Sequence, residues 1–265
     1  MNVCILASGS TGNASLVSEG DTHLLIDCGI SARRIMEGLR DCGVEPERLS
    51  AILVTHEHSD HIKGLEVLLH RCTAPVYAVR PVADALSELY PRERERILAP
   101  EPDCAVLIGA LAVTPFTVPH DSAGCCGYRV SGPSGSFGCC TDLGVVTESV
   151  RCALTGVDCA VIEANHDRTM LRTGPYPAFL KKRILSDHGH LSNDDAAELA
   201  VYLAETGTGV LILGHLSRHN NTPAEALRTV QAALDARVEP ERLPTLLAAP
   251  ETGGVRVEIG AAVPC

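Results

Sequence analysis

One stretch, AILVTHEHSDHIKGL at residues 51–65, constrains the fold of this chain more than any other. It begins with four apolar residues, which is typical of a buried strand. Metal-binding side chains follow at His56, His58, Asp60 and His61. Because side chains alternate in direction along an extended segment, His56 and His58 point to the same side and can chelate one ion. A helix, IKGLEVLLH at residues 62–70, is predicted next. Asp60 and His61 stand at its start and can serve a second ion.

An exposed polar loop is the alternative explanation of these histidines. An apolar strand that ends in HxHxDH is far more specific than a lone HxH pair, so we favour a metal-binding loop. Further donors follow other predicted strands: His120 and Asp142 each come after an apolar segment, and His215 directly follows residues 209–213. Asp27, at the end of LLIDCG, is better placed to orient the metal loop by hydrogen bonding than to bind metal itself.

The motif THEHSDH resembles the signature of the metallo-β-lactamase-fold hydrolases. The resemblance implies an α/β fold, a four-layer αββα sandwich of two mixed sheets flanked by helices. We expect a single domain over residues 1–265, because the candidate ligands are spread over most of the chain. In this family the corresponding positions hold two metals. Carried over residue by residue, the first metal would take His56, His58 and His120, the second would take Asp60, His61 and His215, and Asp142 would bridge them.

Two divalent ions about 3.5–4 Å apart can together hold one hydroxide and neutralise a phosphodiester oxygen. We therefore predict hydrolysis by attack of a metal-bound hydroxide, with Asp60 counted among the catalytic residues. Histidine-rich sites suit zinc, whereas aspartates and phosphate substrates also admit manganese. The residues alone imply metal-assisted hydrolysis and leave the metal open.

The leaving group also needs a proton or a positive neighbour. His188 and His190 precede a predicted helix, whose start is marked by a capping box from Ser192 to Asp195. A helix N-terminus carries partial positive charge and suits an anionic group, but spacing does not choose between the two histidines. In the ribonuclease Z relatives a histidine of an HxT-like motif precedes such a helix. That resemblance favours His190, with His188 in reserve.

Several polar residues are candidates for substrate contact. The SGSTGN loop is either a plain hairpin turn or part of the substrate rim, and the KKR cluster either aids solubility or holds phosphates. The histidine of ANHD follows a predicted strand, and another lies in GHLSRHNN. The predicted substrate-binding residues are Ser10, Asn13, His166, Lys182, Arg183 and His219.

The segments LASGSTGN, LLIDCG, THEHSDHIKGL, ANHD, YPAFLKKRILSDHGHLSN and GHLSRHNNTPAEA together resemble the YycJ (WalJ) subgroup of this superfamily. That resemblance implies a 5′-to-3′ DNA exonuclease whose substrate is a nucleic acid with a 5′ phosphate. A small-molecule hydrolase acting on a thioester, lactone or cyclic phosphodiester remains the alternative. A flavodiiron redox protein would have a carboxylate in place of His58. A non-catalytic metal-binding module is the weakest alternative, because degenerate members usually lose ligands.

Composition narrows the partners further. The net charge of −11, from 22 basic and 33 acidic residues, disfavours a broad surface that coats nucleic acid, so such binding must be local. The sequence shows no signal peptide and no membrane-spanning run, which predicts a soluble cytoplasmic protein without a membrane partner. The twelve cysteines contain no CxxC pair, and several lie in apolar strands, so we expect buried thiols.

Overall fold

The computed structural model describes residues 1–260 and contains two mixed seven-stranded sheets. The strands, in chain order, are β1 (Asn2–Ala7), β2 (Ala14–Glu19), β3 (Thr22–Ile26), β4 (Ala51–Leu53), β5 (Val76–Tyr77), β6 (Ile97–Leu98), β7 (Val106–Ile108), β8 (Leu111–Val118), β9 (Cys125–Gly132), β10 (Gly135–Cys140), β11 (Cys159–Glu163), β12 (Val210–Gly214), β13 (Thr245–Ala248) and β14 (Val255–Glu258). The helices are α1 (Ala32–Asp41), α2 (Ser59–Ile62), α3 (Leu65–Leu69), α4 (Arg80–Leu89), α5 (Glu148–Leu154), α6 (Arg168–Thr173), α7 (Ala178–Ile184), α8 (Asn193–Glu205) and α9 (Pro223–Arg237).

Both sheets follow the same pairing scheme. The first has the spatial order β14-β1-β2-β3-β4-β5-β6, and the second has the order β13-β12-β11-β10-β9-β8-β7. In the first sheet pairing is antiparallel from β14 to β3 and parallel from β3 to β6. In the second it is antiparallel from β7 to β10 and parallel from β10 to β13. Pairing therefore changes direction at β3 in one sheet and at β10 in the other.

Two apolar clusters hold the layers together. One joins the facing sides of the two sheets and the helices over the first, and it includes Ile5, Leu25, Val113 and Phe137. The other lies between the second sheet and α5, α8 and α9. The buried Tyr128 hydroxyl donates to the carbonyl oxygens of Val54 (2.8 Å) and Tyr77 (3.1 Å), which joins β9 to the strands on the other sheet. The predicted four-layer αββα sandwich is confirmed.

The predicted helix start at Ser192 is confirmed, because the Ser192 hydroxyl accepts from the Asp195 N–H (3.2 Å). The Thr222 hydroxyl accepts from the Glu225 N–H (3.1 Å) and caps α9 in the same way. The predicted helix over residues 62–70 is wrong, because the chain forms α2 and α3 with a break at Gly64. A Cβ at Gly64 would lie 2.4 Å from the Ile30 carbonyl oxygen, and the Gly64 N–H donates to the Cys28 carbonyl oxygen (2.7 Å), so the chain at the break packs against a neighbouring loop.

None of the helices within residues 1–260 combines the length and the apolar character that crossing a membrane requires.

Candidate metal centre

The candidate ligands lie beyond the ends of strands from both sheets. His56 and His58 follow β4, while His120 and His215 follow β8 and β12 of the second sheet. Asp142 follows β10. The positions of these ligands are fixed because the strand before each one is hydrogen-bonded into a sheet almost to the ligand residue. The candidate ligands that follow apolar runs in the sequence therefore lie together at one edge of the sandwich.

Four overlapping donor groups lie there within residues 1–260, and two of them match the predicted ligand sets. His56, His58 and His120 form the first group, with ring centroids 4.6, 5.1 and 5.2 Å apart, and their candidate ligand atoms all lie within 4.8 Å of one another. Asp60, His61 and His215 form the second. Asp60 Oδ2 lies 3.7 Å from His61 Nε2 and 3.6 Å from His215 Nε2.

Asp142 lies between the two groups. One carboxylate oxygen is 3.2 Å from His61 Nε2, and the other is 3.4 Å from His215 Nε2 and 3.9 Å from His120 Nε2. Asp142 also forms a donor group with His56 and His61. A carboxylate within reach of both groups has the position that a bridging ligand requires.

The donors fit a divalent cation. His56 Nε2, His215 Nε2 and Asp142 Oδ2 are buried and have no hydrogen-bond partner within the described chain. An unpartnered buried polar atom costs about 1–3 kcal/mol, so native proteins rarely retain one without a ligand, ion or water. Imidazole nitrogen and carboxylate oxygen are both established ligands of zinc. The buried centre thus presents unsatisfied donors of the right chemistry.

Asp27 orients His61 of the second group through the ring nitrogen that faces away from the centre. Its carboxylate accepts from the Thr55 N–H (2.9 Å) and lies 2.8 Å from His61 Nδ1. With Nδ1 held by a carboxylate, the proton stays on that nitrogen and Nε2 is free to face the centre. The Thr55 hydroxyl donates to Asp27 Oδ2 (3.0 Å), and its oxygen lies 3.1 Å from His56 Nδ1. Thr55 therefore connects Asp27 to the first group as well.

Glu163 performs the same task for the second sheet, and sequence reasoning missed it. This fully buried carboxylate at the end of β11 lies 2.7 Å from His215 Nδ1 and 2.8 Å from His190 Nδ1. Its other oxygen accepts from the N–H groups of Leu143 (2.9 Å) and Leu191 (3.2 Å). The sequence does contain a signal for Glu163: it is an acid at the end of the apolar strand CAVIE, as Asp27 is an acid directly after LLI.

Charges at the centre are strongly coupled. Burial lowers the pKa of His61, but Asp27 and Asp142 outweigh it and raise that pKa to about 10. Burial would raise the pKa of Glu163, yet His190 and His215 lower it to about 2. The pKa of Asp142 is also well below its usual value, since His215 and His61 oppose the effect of burial. Glu163 and Asp142 are therefore ionised at neutral pH.

The two candidate leaving-group histidines occupy different surroundings. The His190 ring lies 5.2 Å from the rings of both His120 and His215 and is held by Glu163. His188 is exposed and lines a cavity of about 630 Å³ beside His120, with a mostly apolar wall that includes Pro81, Pro119 and Val118. Of the pair, only His190 belongs to a donor group found in residues 1–260, the one that it forms with Asp142, Glu163 and His215.

The predicted substrate contacts divide into three places. Ser10 and Arg183 line a small cavity of about 160 Å³ together with His190, Tyr176 and Ser217. The Arg183 guanidinium also pairs with Asp121. Lys182 and His219 lie exposed on the adjoining surface.

Asn13 and His166 lie under the surface instead. Asn13 is 6 % exposed, and its backbone N–H donates to the Asp60 carbonyl oxygen (2.9 Å), which ties the SGSTGN loop to the metal loop. Its side-chain nitrogen lies 3.1 Å from His61 Nε2. His166 is 1 % exposed, and its carbonyl oxygen accepts from the Asn193 N–H (2.9 Å) beneath the segment that carries His190. Both residues are buried, and neither ring nitrogen of His166 has a hydrogen-bond partner within residues 1–260. Their part in substrate binding stays a prediction.

Comparison with known proteins agrees with this geometry. Residues 22–216 match the family model described as a beta-lactamase superfamily domain, so the chain belongs to that superfamily. A solved metallo-beta-lactamase-fold protein, YhfI from Bacillus subtilis, superposes with a TM-score of 0.71 at 20 % identity over 97 % of this chain and 99 % of its own. Fold and donor groups together define a metal-dependent hydrolase.

Two named relatives are considerably closer in sequence. Exodeoxyribonuclease YycJ of Bacillus anthracis is 35 % identical over 89 % of this chain and 90 % of its own length. Exodeoxyribonuclease WalJ of Streptococcus pneumoniae is 38 % identical over 82 % of both chains. The predicted resemblance to the YycJ (WalJ) subgroup is confirmed.

Proposed function

We propose that the protein is a two-metal phosphodiesterase that removes nucleotides from the 5′ end of DNA. The observation that carries this proposal is the position of Asp142 between two histidine-rich donor groups, with His190 and a small polar cavity directly beside them. The printed names of the YycJ and WalJ relatives support DNA as the substrate.

The seven proposed ligands are five histidines and two aspartates. Divalent ions held by them would polarise a phosphate oxygen and supply an activated water at neutral pH. The five imidazole donors favour zinc, and manganese is the second choice. Glu163 and Asp27 keep the Nε2 atoms of His215 and His61 directed at the centre.

His190 is the proposed proton donor to the leaving group. Glu163 holds its Nδ1 atom, so Nε2 is the nitrogen that can give a proton to an alkoxide. The ring is half-buried beside the donor groups, which keeps it in one orientation. His188 would instead contact the strand on the apolar side of the centre.

The small cavity beyond His190 is the proposed site for a terminal 5′ phosphate. Its volume of about 160 Å³ suits a phosphate better than a whole nucleotide, and Ser10, Ser217 and Arg183 offer donors to phosphate oxygens. With the terminal phosphate there, the first nucleotide becomes the leaving group beside His190. That placement gives 5′-to-3′ polarity.

A small-molecule hydrolase is the second candidate. The mostly apolar cavity of about 630 Å³ beside His120 would suit the organic part of a thioester or lactone. His58 and Asp60 are partly exposed, however, so the centre lies near the surface and is open to a strand. We therefore rank nucleic acid first.

One experiment separates the two candidates. Purified protein, loaded with zinc or manganese, is incubated with 5′-phosphorylated DNA, 5′-hydroxyl DNA, 5′-phosphorylated RNA, a chromogenic phosphodiester and a thioester. We expect fastest hydrolysis of 5′-phosphorylated DNA, release of mononucleotides from the 5′ end, and loss of activity on chelation. Hydrolysis of the thioester alone would refute the phosphodiesterase proposal in favour of the second candidate.

A further inference from the structure

Of the arginines and lysines within residues 1–260, only Arg183 lines the small cavity proposed for the 5′ phosphate. Packing does little to fix its side chain. Ile184 is the only buried residue of α7, and 56 % of the Arg183 side chain is exposed. An unrestrained arginine side chain loses much rotamer freedom when it binds a ligand. A phosphate site built on Arg183 therefore needs a second residue that holds the guanidinium.

Asp121 is in contact with that guanidinium. Arg183 Nε donates to Asp121 Oδ2, and the two side chains form an ion pair that joins the loop after β8 to α7. The two terminal nitrogens, Nη1 and Nη2, make no hydrogen bond to another residue within the described chain. An arginine held at Nε keeps these two nitrogens available, and together they can bind two oxygens of one phosphate.

Stability gives little reason for this ion pair. Its side chains are 56 % and 31 % exposed, and exposed pairs contribute little to folding. Arg237 and Glu198 form a comparable exposed pair between α9 and α8, and neither of them lines the small cavity. The Asp121–Arg183 pair differs from it because one partner forms part of the cavity wall.

The other carboxylate oxygen of Asp121 faces the first donor group. Asp121 Oδ1 lies 3.4 Å from His120 Nε2. His120 Nδ1 lies 3.3 Å from the carbonyl oxygen of Gly189, which also lines the small cavity. The consecutive residues His120 and Asp121 thus contact two residues of the cavity wall, Gly189 and Arg183. These contacts connect the position of a phosphate on Arg183 to the position of the first donor group.

Charge by itself would give Asp121 the opposite effect. A carboxylate near a phosphate site repels the phosphate, and its removal would then strengthen binding. The geometry favours a positioning role instead, because Asp121 is not among the residues that line the cavity. Its carboxylate lies between Arg183 Nε and His120 Nε2.

We propose that Asp121 is a positioning residue for recognition of the 5′ phosphate: it holds Arg183 at Nε so that Nη1 and Nη2 bind the phosphate. This inference rests on the proposed exonuclease function and deepens it, because it names the residue pair that would distinguish a 5′-phosphorylated end from a 5′-hydroxyl end. Arg183 would touch the phosphate, and Asp121 would act through Arg183.

Binding to two forms of one DNA duplex tests the proposal separately from hydrolysis. The duplex has hydrolysis-resistant phosphorothioate linkages, a fluorophore at its 3′ end, and either a phosphate or a hydroxyl at its 5′ end. Metal-loaded wild type should bind the phosphorylated form about 10-fold more tightly, as expected for hydrogen bonds to a charged group. Because the two forms are compared on the same protein, a change in metal content that affects both equally cancels in the ratio.

The variants separate positioning from simple charge. Asp121→Ala and Arg183→Ala should each lower the affinity ratio to about 1–2, and the double variant should lower it no further, since Asp121 acts only through Arg183. Asp121→Asn keeps an oxygen that accepts from Nε, so we expect a partial loss, to a ratio of about 3. The matched control is Glu198→Ala, which removes the acid of the other exposed pair and should leave the ratio unchanged.

Two results would overturn the proposal. The first is a ratio for Asp121→Ala equal to that of wild type or above it, the higher value meaning that Asp121 repels phosphate. The second is equal affinity of wild type for the two duplexes. Failure of wild type to hydrolyse unmodified DNA would refute the proposed function itself, and that result is read from hydrolysis and not from binding.

Discussion

Two Asp-x-Gly turns, at residues 27–29 and 142–144, each follow the strand at which a sheet changes from antiparallel to parallel pairing. These strands are β3 and β10. Asp27 and Asp142 have φ values of 61° and 59°, in the left-handed region that few residues other than glycine adopt. The two sheets thus have the same Asp-x-Gly turn at the same point in their topology.

The glycines of the two turns also match. A Cβ at Gly29 would lie 1.5 Å from the Asp60 carbonyl oxygen, and a Cβ at Gly144 would lie 2.4 Å from the Asp187 carbonyl oxygen. Asp60 precedes His61, and Asp187 precedes His188, so each turn receives the backbone of a histidine-bearing loop. The absence of a side chain at Gly29 and Gly144 is what allows both loops to approach.

The two aspartates nevertheless differ in their contacts. Asp27 reaches the Thr55 N–H and His61 Nδ1, whereas Asp142 faces His61 Nε2 and His215 Nε2. His61 lies between them, with one carboxylate at each ring nitrogen. The same turn therefore carries an orienting acid in one sheet and a proposed bridging ligand in the other. The difference arises because Asp27 contacts the Nδ1 side of His61, whereas Asp142 contacts its Nε2 side.

The largest effect is expected from Asp142→Asn. Removing the proposed bridge should lower kcat/KM on a phosphodiester by about 10³-fold or more, since metal stabilisation of the transition state is worth several kcal/mol. Bound metal per protein, measured by elemental analysis, should also fall. Full metal content and wild-type turnover would assign Asp142 a structural role only.

Glu163→Gln should have the next largest effect. The amide can no longer hold both His215 Nδ1 and His190 Nδ1 as a charged acceptor, and loss of such a partner typically costs about 10–100-fold. We expect the upper end, about 100-fold in kcat/KM, because two histidines depend on Glu163. The exposed Glu239→Gln provides the control, and equal turnover of both variants would contradict the positioning role.

Asp27→Asn should cost less, about 10-fold in kcat/KM. Only His61 loses its carboxylate partner, and the Thr55 hydroxyl remains 3.2 Å from His61 Nδ1. The direct comparison with Asp142→Asn tests the division of labour between the two turns. A loss as large as that of Asp142→Asn would mean that both aspartates bind metal.

The smallest effects are expected on stability, from the turn glycines. Gly29→Ala and Gly144→Ala should each lower the free energy of unfolding by about 1–3 kcal/mol, as overpacking does, and thermal unfolding should show a Tm lower by several degrees. Gly209→Ala is the matched control, because a Cβ there meets only the Asp158 carbonyl oxygen at 3.8 Å. A Tm loss in the control equal to that of the two turn variants would remove the argument from close approach.

Much of the centre could be predicted from sequence because its ligands follow apolar strands. THEHSDH concentrates four donors in six residues, and such a pattern can be recognised without knowledge of the tertiary structure. The break at Gly64 and the supporting role of Asn13 could not be predicted, since both depend on loops distant in sequence. Glu163 was missed for the same reason: its partners, His190 and His215, are 27 and 52 residues away.

The sequence by itself determined the fold class, the superfamily and a set of candidate ligands, because strand patterning and the histidine motif are local. Only the tertiary structure decided which carboxylate stands between the donor groups and that His190, not His188, lies beside them. Those facts arise where strand ends from two sheets meet, and no local pattern records which side chains will face each other across that junction.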